Sequence, residues 1–160
     1  MNRACRHRPS RRDLLAAAAA LPAAGCLSAV AIRPAGAAVP ETMEAAIREF
    51  AGEAAIRDGR VKLEIPALVE NGNSVTLTVA VESPMSAADH VKTIAVFNEK
   101  NPQPNVALFH LGPRSGRARV EIRIRLATSQ KLVAVARMSD GSLWQDSADV
   151  IVTLAACLED

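Results

Sequence analysis

From residue 60 onward the chain alternates apolar and polar positions with a period of two, the spacing of a strand with one buried face. Val61, Leu63 and Ile65 alternate with Lys62 and Glu64, and Pro66 stops this run or marks it as an edge. An Asn-Gly turn at Asn71 and Gly72 precedes a second run, in which Val75, Leu77, Val79 and Val81 share one face. Pro84 and the polar residues 85–90 form a loop before a strand over 92–99. The proline-rich residues 100–105 then lead to a strand over 106–111. The clearest alternation lies at 117–127, with Val120, Ile122, Ile124 and Leu126 predicted inward and Arg119, Glu121, Arg123 and Arg125 outward. A strand over 131–138, an Asp140-Gly141 turn, a short apolar pair at Leu143 and Trp144, and a last strand over 148–156 complete the series.

Ahead of these strands the period changes. Met43, Ile47, Phe50 and Ala54 fall at spacings of four, three and four, one stripe of a helix. Pro40 suits a first helical turn, Glu41 and Glu44 favour its positive end, and Gly52 weakens the far end, so the helix is expected at 41–51. One short helix followed by seven or so short strands predicts a mainly β fold, an immunoglobulin-like antiparallel β-sandwich.

The first 37 residues read differently. An arginine-rich start, an alanine-dominated apolar stretch from Leu14 to Ala38 and small residues at Ala35–Ala37 describe a cleaved export signal, too short and alanine-rich to span a bilayer comfortably. Arg11 and Arg12, immediately ahead of the apolar stretch, resemble the twin-arginine signal of bacteria, which implies a periplasmic destination. The expected division is therefore a signal at 1–37, a sandwich domain at 38–153 and a C-terminal arm at 154–160.

That division reverses the sign of the charge. The signal carries six of the 19 basic residues and one of the 17 acidic ones, leaving 13 against 16. A nucleic-acid reading built on the precursor's charge fails, and three Phe, one Trp and no Tyr offer bases few rings to stack on.

Enzyme chemistry finds little support. His90 and His110 stand in different segments without a partner at metal-ligand spacing, so no metal or cofactor site is expected. Residues 112–117 lack the lysine and following helix of a phosphate loop and read as an irregular turn. Arg114, Arg117, Arg119, Arg123 and Arg125 form either a positive stripe facing an acidic partner or small anion, or a solvated outer face. Cys5 and Cys26 fall within the signal, which leaves Cys157 unpaired in an oxidising compartment and a candidate for a covalent adduct or an intermolecular bond.

Taken together, residues 68–85, 90–144 and the late cysteine resemble the SoxY family of sulfur carriers in thiosulfate oxidation. The resemblance rests on the ordered segments Glu70–Asn73, Glu82–Met85, Glu99–Pro104, Pro113–Ala118 and Met138–Ser142. It implies an immunoglobulin-like sandwich, a heterodimer with a SoxZ-like subunit, and a non-catalytic role. It also implies transient partners: a haem enzyme that joins thiosulfate to the thiol, a hydrolase that releases sulfate, and a sulfane dehydrogenase. By the same resemblance Cys157 is the site of covalent sulfur attachment. Where the family has a Gly-Gly-Cys-Gly-Gly arm, this chain has Ala155, Ala156, Leu158, Glu159 and Asp160 around the cysteine, a stiffer and acidic end. The alternative is a binding or structural module of the same fold whose cysteine carries no sulfur.

Overall fold

Thr42 opens the helix. In the computed structural model, which describes residues 42–154, its backbone is extended and its hydroxyl accepts from the Ala45 N–H at 3.2 Å, closing one of the free donors of the first turn. Helix α1 runs Met43–Ala51 and ends where Gly52 turns to φ 66° and donates its N–H to the Arg48 carbonyl. The helix thus starts two residues later than the sequence pattern suggests, because Thr42 takes the cap. Ala54, expected on the apolar stripe, lies past that glycine and is exposed.

Nine strands follow among the described residues: β1 (Ile56–Asp58), β2 (Val61–Glu64), β3 (Leu68–Asn71), β4 (Val75–Val81), β5 (Val91–Asn98), β6 (Asn105–His110), β7 (Arg119–Ile124), β8 (Gln130–Met138) and β9 (Leu143–Leu154). The larger sheet has the order β1-β9-β8-β5-β6, with β3 also on β9, and the smaller one the order β2-β4-β7. A mainly β sandwich with one leading helix is therefore what the chain forms. Two details differ from the expectation. β1 and β3 pair with β9 in parallel, Ile56 opposite Leu143 and Leu68 opposite Ile151. The last two apolar runs are one strand of 12 residues. The polar middle of β9 stays in the ladder because its side chains find partners: Asp146 accepts from the Leu63 N–H at 2.8 Å, tying β9 to the smaller sheet, and Gln145 donates to Asp58 at 3.2 Å.

The larger sheet is covered on both faces. Ile94, Val96, Leu132, Ala134, Ala136 and Met138 point between the sheets, against Leu77, Val79 and Leu126. Ala95, Phe97, Val133, Val135 and Leu143 point the other way, onto Met43, Ala46 and Ala51 of α1. This is why β5 and β8 read as unbroken apolar runs, while β7 of the half-covered smaller sheet alternates cleanly.

Candidate functional site

Cys157 lies outside the described residues, but the strand that leads to it is held to its last described residue. The carbonyl of Leu154 accepts from the Gly72 N–H at 2.9 Å, and the Gly72 carbonyl accepts from the Leu126 N–H at 2.9 Å. Gly72 therefore stands between the end of β9 and the residues just after β7. The Asn-Gly turn does not close a hairpin; it passes the chain from β3 in one sheet to β4 in the other, with Asn73 N–H bonded to the Asn71 side chain at 2.9 Å. One residue pair upstream, Thr153 donates its hydroxyl to the Glu70 carbonyl at 3.2 Å, and Val152 N–H donates to the Ser129 hydroxyl at 2.8 Å. Three connections thus grip both sides of the strand just ahead of the cysteine.

The same end of the sandwich holds the proline-rich loop. Asn101 donates its amide to the Arg125 carbonyl at 2.9 Å, while its side-chain oxygen accepts from Ala127 N–H at 3.0 Å and from the Gln130 amide at 2.8 Å. Buried Gln130 in turn accepts from Lys100 N–H at 2.9 Å. These bonds fix the loop against the end of β7. Between them opens a cleft of about 590 Å³, lined by Asn98, Asn101 and Gln103 on one side and by Ile122 to Arg125 on the other.

The arginine stripe divides into two halves. Arg119 lies 3.5 Å from Glu64, which also holds Lys62 at 2.8 Å. The hydrogen bond and charge of Lys62, with a smaller contribution from Arg119, hold the Glu64 carboxyl below its ordinary value. Arg123 and Arg125 are exposed and, among the described residues, no carboxylate reaches them. Arg114 sits in a single 3₁₀ turn, Pro113–Ser115, and Arg117 follows it; both are exposed.

The histidines have local roles. His90 donates its N–H to the Ser139 hydroxyl at 3.2 Å and sets Nδ1 3.1 Å from the Ser86 carbonyl, which joins the 85–90 loop to the end of β8. His110 ends β6, exposed, opposite Thr93. Among the described residues no three His, Cys, Asp or Glu side chains gather as metal ligands, and no helix is long and apolar enough to cross a membrane. The sequence pattern missed the arginines at the opposite end. Arg57 and Arg60 lie 5.8 and 5.6 Å from the ring of Trp144, and Gly59 adopts φ 127° against that ring. A single tryptophan near two arginines and a glycine is a signal visible only once β1 is known to pair with β9.

The model of the family "Sulfur oxidation protein SoxY" matches residues 47–157. The chain belongs to the SoxY family. Among solved structures, the SoxY sulfur carrier protein from Chlorobium limicola f thiosulfatophilum is 30% identical with a TM-score of 0.60; the match covers 71% of this chain and 97% of that one. A superoxide reductase (neelaredoxin) from Ignicoccus hospitalis is 20% identical with a TM-score of 0.53, covering 59% and 80%. A putative superoxide reductase from Thermotoga maritima is 21% identical with a TM-score of 0.51, covering 64% and 89%. Likeness to the two reductases extends to the fold alone. No curated protein matches the sequence. As a SoxY family member the chain places its late cysteine at the last residue of the family match, three residues beyond the end of β9.

Proposed function

We propose that this protein is a periplasmic covalent sulfur carrier of thiosulfate oxidation, with Cys157 as the attachment site and a SoxZ-like subunit as its partner. The observation that carries the reading is the extent of the family match, which runs through the sandwich and ends on Cys157. The grip on β9 supports it: a strand fixed to Leu154 gives a cysteine three residues on a defined origin and a short radius, about 10 Å at full extension. Loading joins the thiol to the outer sulfur of thiosulfate. The S–H bond is lost as a proton, an S–S bond forms, and two electrons pass to the haem enzyme. Water then cleaves the terminal sulfonate as sulfate, leaving a persulfide on the carrier for the dehydrogenase.

Loading is tested by peptide mass. With a SoxZ-like partner, the thiosulfate-coupling haem enzyme and thiosulfate, the peptide containing Cys157 gains the mass of a thiosulfonate. An unmodified peptide under conditions that load a glycine-armed carrier rejects the assignment. A second reading has its own observation, the replacement of arm glycines by Ala155, Ala156, Leu158, Glu159 and Asp160. On that reading the chain is a binding module, and Cys157→Ser leaves growth on thiosulfate unchanged.

A further inference from the structure

We propose that the free edge of β7 is a docking site for an extended segment of a partner protein in which apolar residues alternate with acidic ones. β7 ends the smaller sheet, and the direction of its backbone groups follows from two hydrogen bonds. Val81 donates its N–H to the Ala118 carbonyl, and Leu126 donates to the Gly72 carbonyl. Even-numbered residues of β7 therefore turn their backbone groups toward β4, and odd-numbered ones turn them outward. One outward rung is already filled. The Asn101 amide donates to the Arg125 carbonyl at 2.9 Å while its oxygen accepts from Ala127 N–H at 3.0 Å, as the peptide of a neighbouring strand would. At Arg119, Glu121 and Arg123 no strand among the described residues takes the outward groups.

The shape of this flank sets the alternation. On the opposite flank the sheets are tied where Leu63 N–H reaches Asp146 of β9, whereas here the cleft of about 590 Å³ opens between β6 and β7, with partly buried Val106 and Ile122 in its lining. A strand added to β7 sends every second side chain into that cleft and the others onto the outer face, beside Arg119, Glu121 and Arg123. Charge sets the rest. Residues 114–125 hold five arginines against one acid, Glu121. Arg119 has Glu64 at 3.5 Å, while no described carboxylate forms an ion pair with Arg123. A second copy fits poorly, because the antiparallel register that fills all three open rungs sets Glu121 against Glu121 and Arg119 against Arg123. The arginines thus keep the edge from pairing with itself and select a strand of opposite charge. The edge offers this site whether or not Cys157 carries sulfur.

The test uses the intact chain and a capped peptide of sequence Glu-Val-Thr-Val-Glu, which sets valines inward and glutamates beside Arg119 and Arg123 in either direction. At millimolar peptide, hydrogen exchange at the amides of Arg119, Glu121 and Arg123 slows, while Val120 and Ile122, already bonded to β4, do not change. Lys-Val-Thr-Val-Lys binds roughly tenfold more weakly, the worth of two exposed ion pairs turned to repulsion. Arg123→Glu lowers affinity for the glutamate peptide about fivefold, and exchanging one peptide glutamate for lysine recovers it. Because Arg123 is exposed, the variant folds as the parent does, which its unfolding midpoint verifies. Protection absent from the three odd-numbered amides, or equal with the lysine peptide, overturns the proposal. Protection that falls instead on β6 overturns it too, as does protection already present without peptide that disappears on dilution, which would assign the edge to a second copy.

Discussion

The two sheets divide the work of the molecule, and the division follows from how many faces each one covers. The larger sheet is closed on both sides, by the smaller sheet and by α1, and its central strands bury residues of every parity. The smaller sheet is closed on one side only. Its outer face carries Lys62, Glu64, Arg119, Glu121, Arg123 and Arg125, and its end meets the last described residues of β9. Packing therefore concentrates where the chain is hidden, and chemistry is free to vary where it is not.

The sharpest way to break this comparison is to remove the largest fully buried side chain, which lies on the doubly covered sheet. Phe97 is 2% exposed, faces α1, and meets the Phe50 ring edge-on with centroids 6.0 Å apart. Phe97→Ala is expected to cost about 3–5 kcal/mol and to loosen α1, measured as a lower urea midpoint at unchanged slope. A loss no larger than that of a surface substitution would show that the helix layer contributes little. Arg137 reinforces that layer by donating to the Phe50 carbonyl and resting over its ring at 5.0 Å.

Next in size is the connection between the sheets. Asp146→Ala leaves the Leu63 N–H without its acceptor, and a donor stranded in a partly buried place costs about 1–3 kcal/mol. Asp146→Asn keeps an acceptor oxygen and is expected to recover most of the loss. Equal losses would mean that the carboxylate acts through charge and not through this bond.

Smaller again is the start of α1. Thr42→Ala removes the hydroxyl that caps Ala45 and is expected to cost about 1 kcal/mol, while Thr42→Ser keeps it. Amide exchange across 43–47 reports the difference directly, because a lost cap frays the first turn before it affects the sheets.

Against these magnitudes, what could be read from the sequence becomes intelligible. Runs whose side chains obey one period were legible: the helix stripe at Met43, Ile47 and Phe50, the paired faces of residues 75–81, and the alternation around Ile122 and Ile124. β1 and β3 were not, because Ile56-Arg57-Asp58 and Leu68-Val69-Glu70-Asn71 are too short for a period to register. Their place is set by β9, more than 80 residues away. The unity of β9 was hidden by Gln145-Asp146-Ser147, polar residues held in the strand by partners from other elements. For the site, composition singled out Cys157 and the five arginines, but not that Gly72 links the end of β9 to Leu126, the residue after Arg125. That neighbourhood is made by two backbone hydrogen bonds, which no side-chain pattern records. The sequence likewise could not divide the stripe, since Arg119 is neutralised by a glutamate 55 positions earlier.

The smallest effect separates two carboxylates by what lowers them. Glu64, on the bare face of the smaller sheet, is held below its ordinary value first by the hydrogen bond and then by the charge of Lys62, and further by Arg119. Asp140, in the β8–β9 turn, is lowered first by the Ser142 hydroxyl at 2.7 Å and then by the Ser142 N–H at 2.8 Å, both neutral donors, with Arg60 contributing less. Both folded-state values are depressed, so each contribution is complete above the unfolded carboxylate range of about 4 and is lost as pH falls through the lower folded value. Their response to salt must differ. At about 1 M salt the screening length shrinks to about 3 Å, which weakens the pull of Lys62 and Arg119 on Glu64 and leaves the neutral donors of Asp140 in place. Carboxyl-carbon titrations in low and high salt are expected to move Glu64 back toward its ordinary value and leave Asp140 where it is. If both move together, the outer face of the smaller sheet is no more electrostatic in character than an ordinary turn, and the functional contrast between the sheets would have to rest on Arg123 and Arg125 alone.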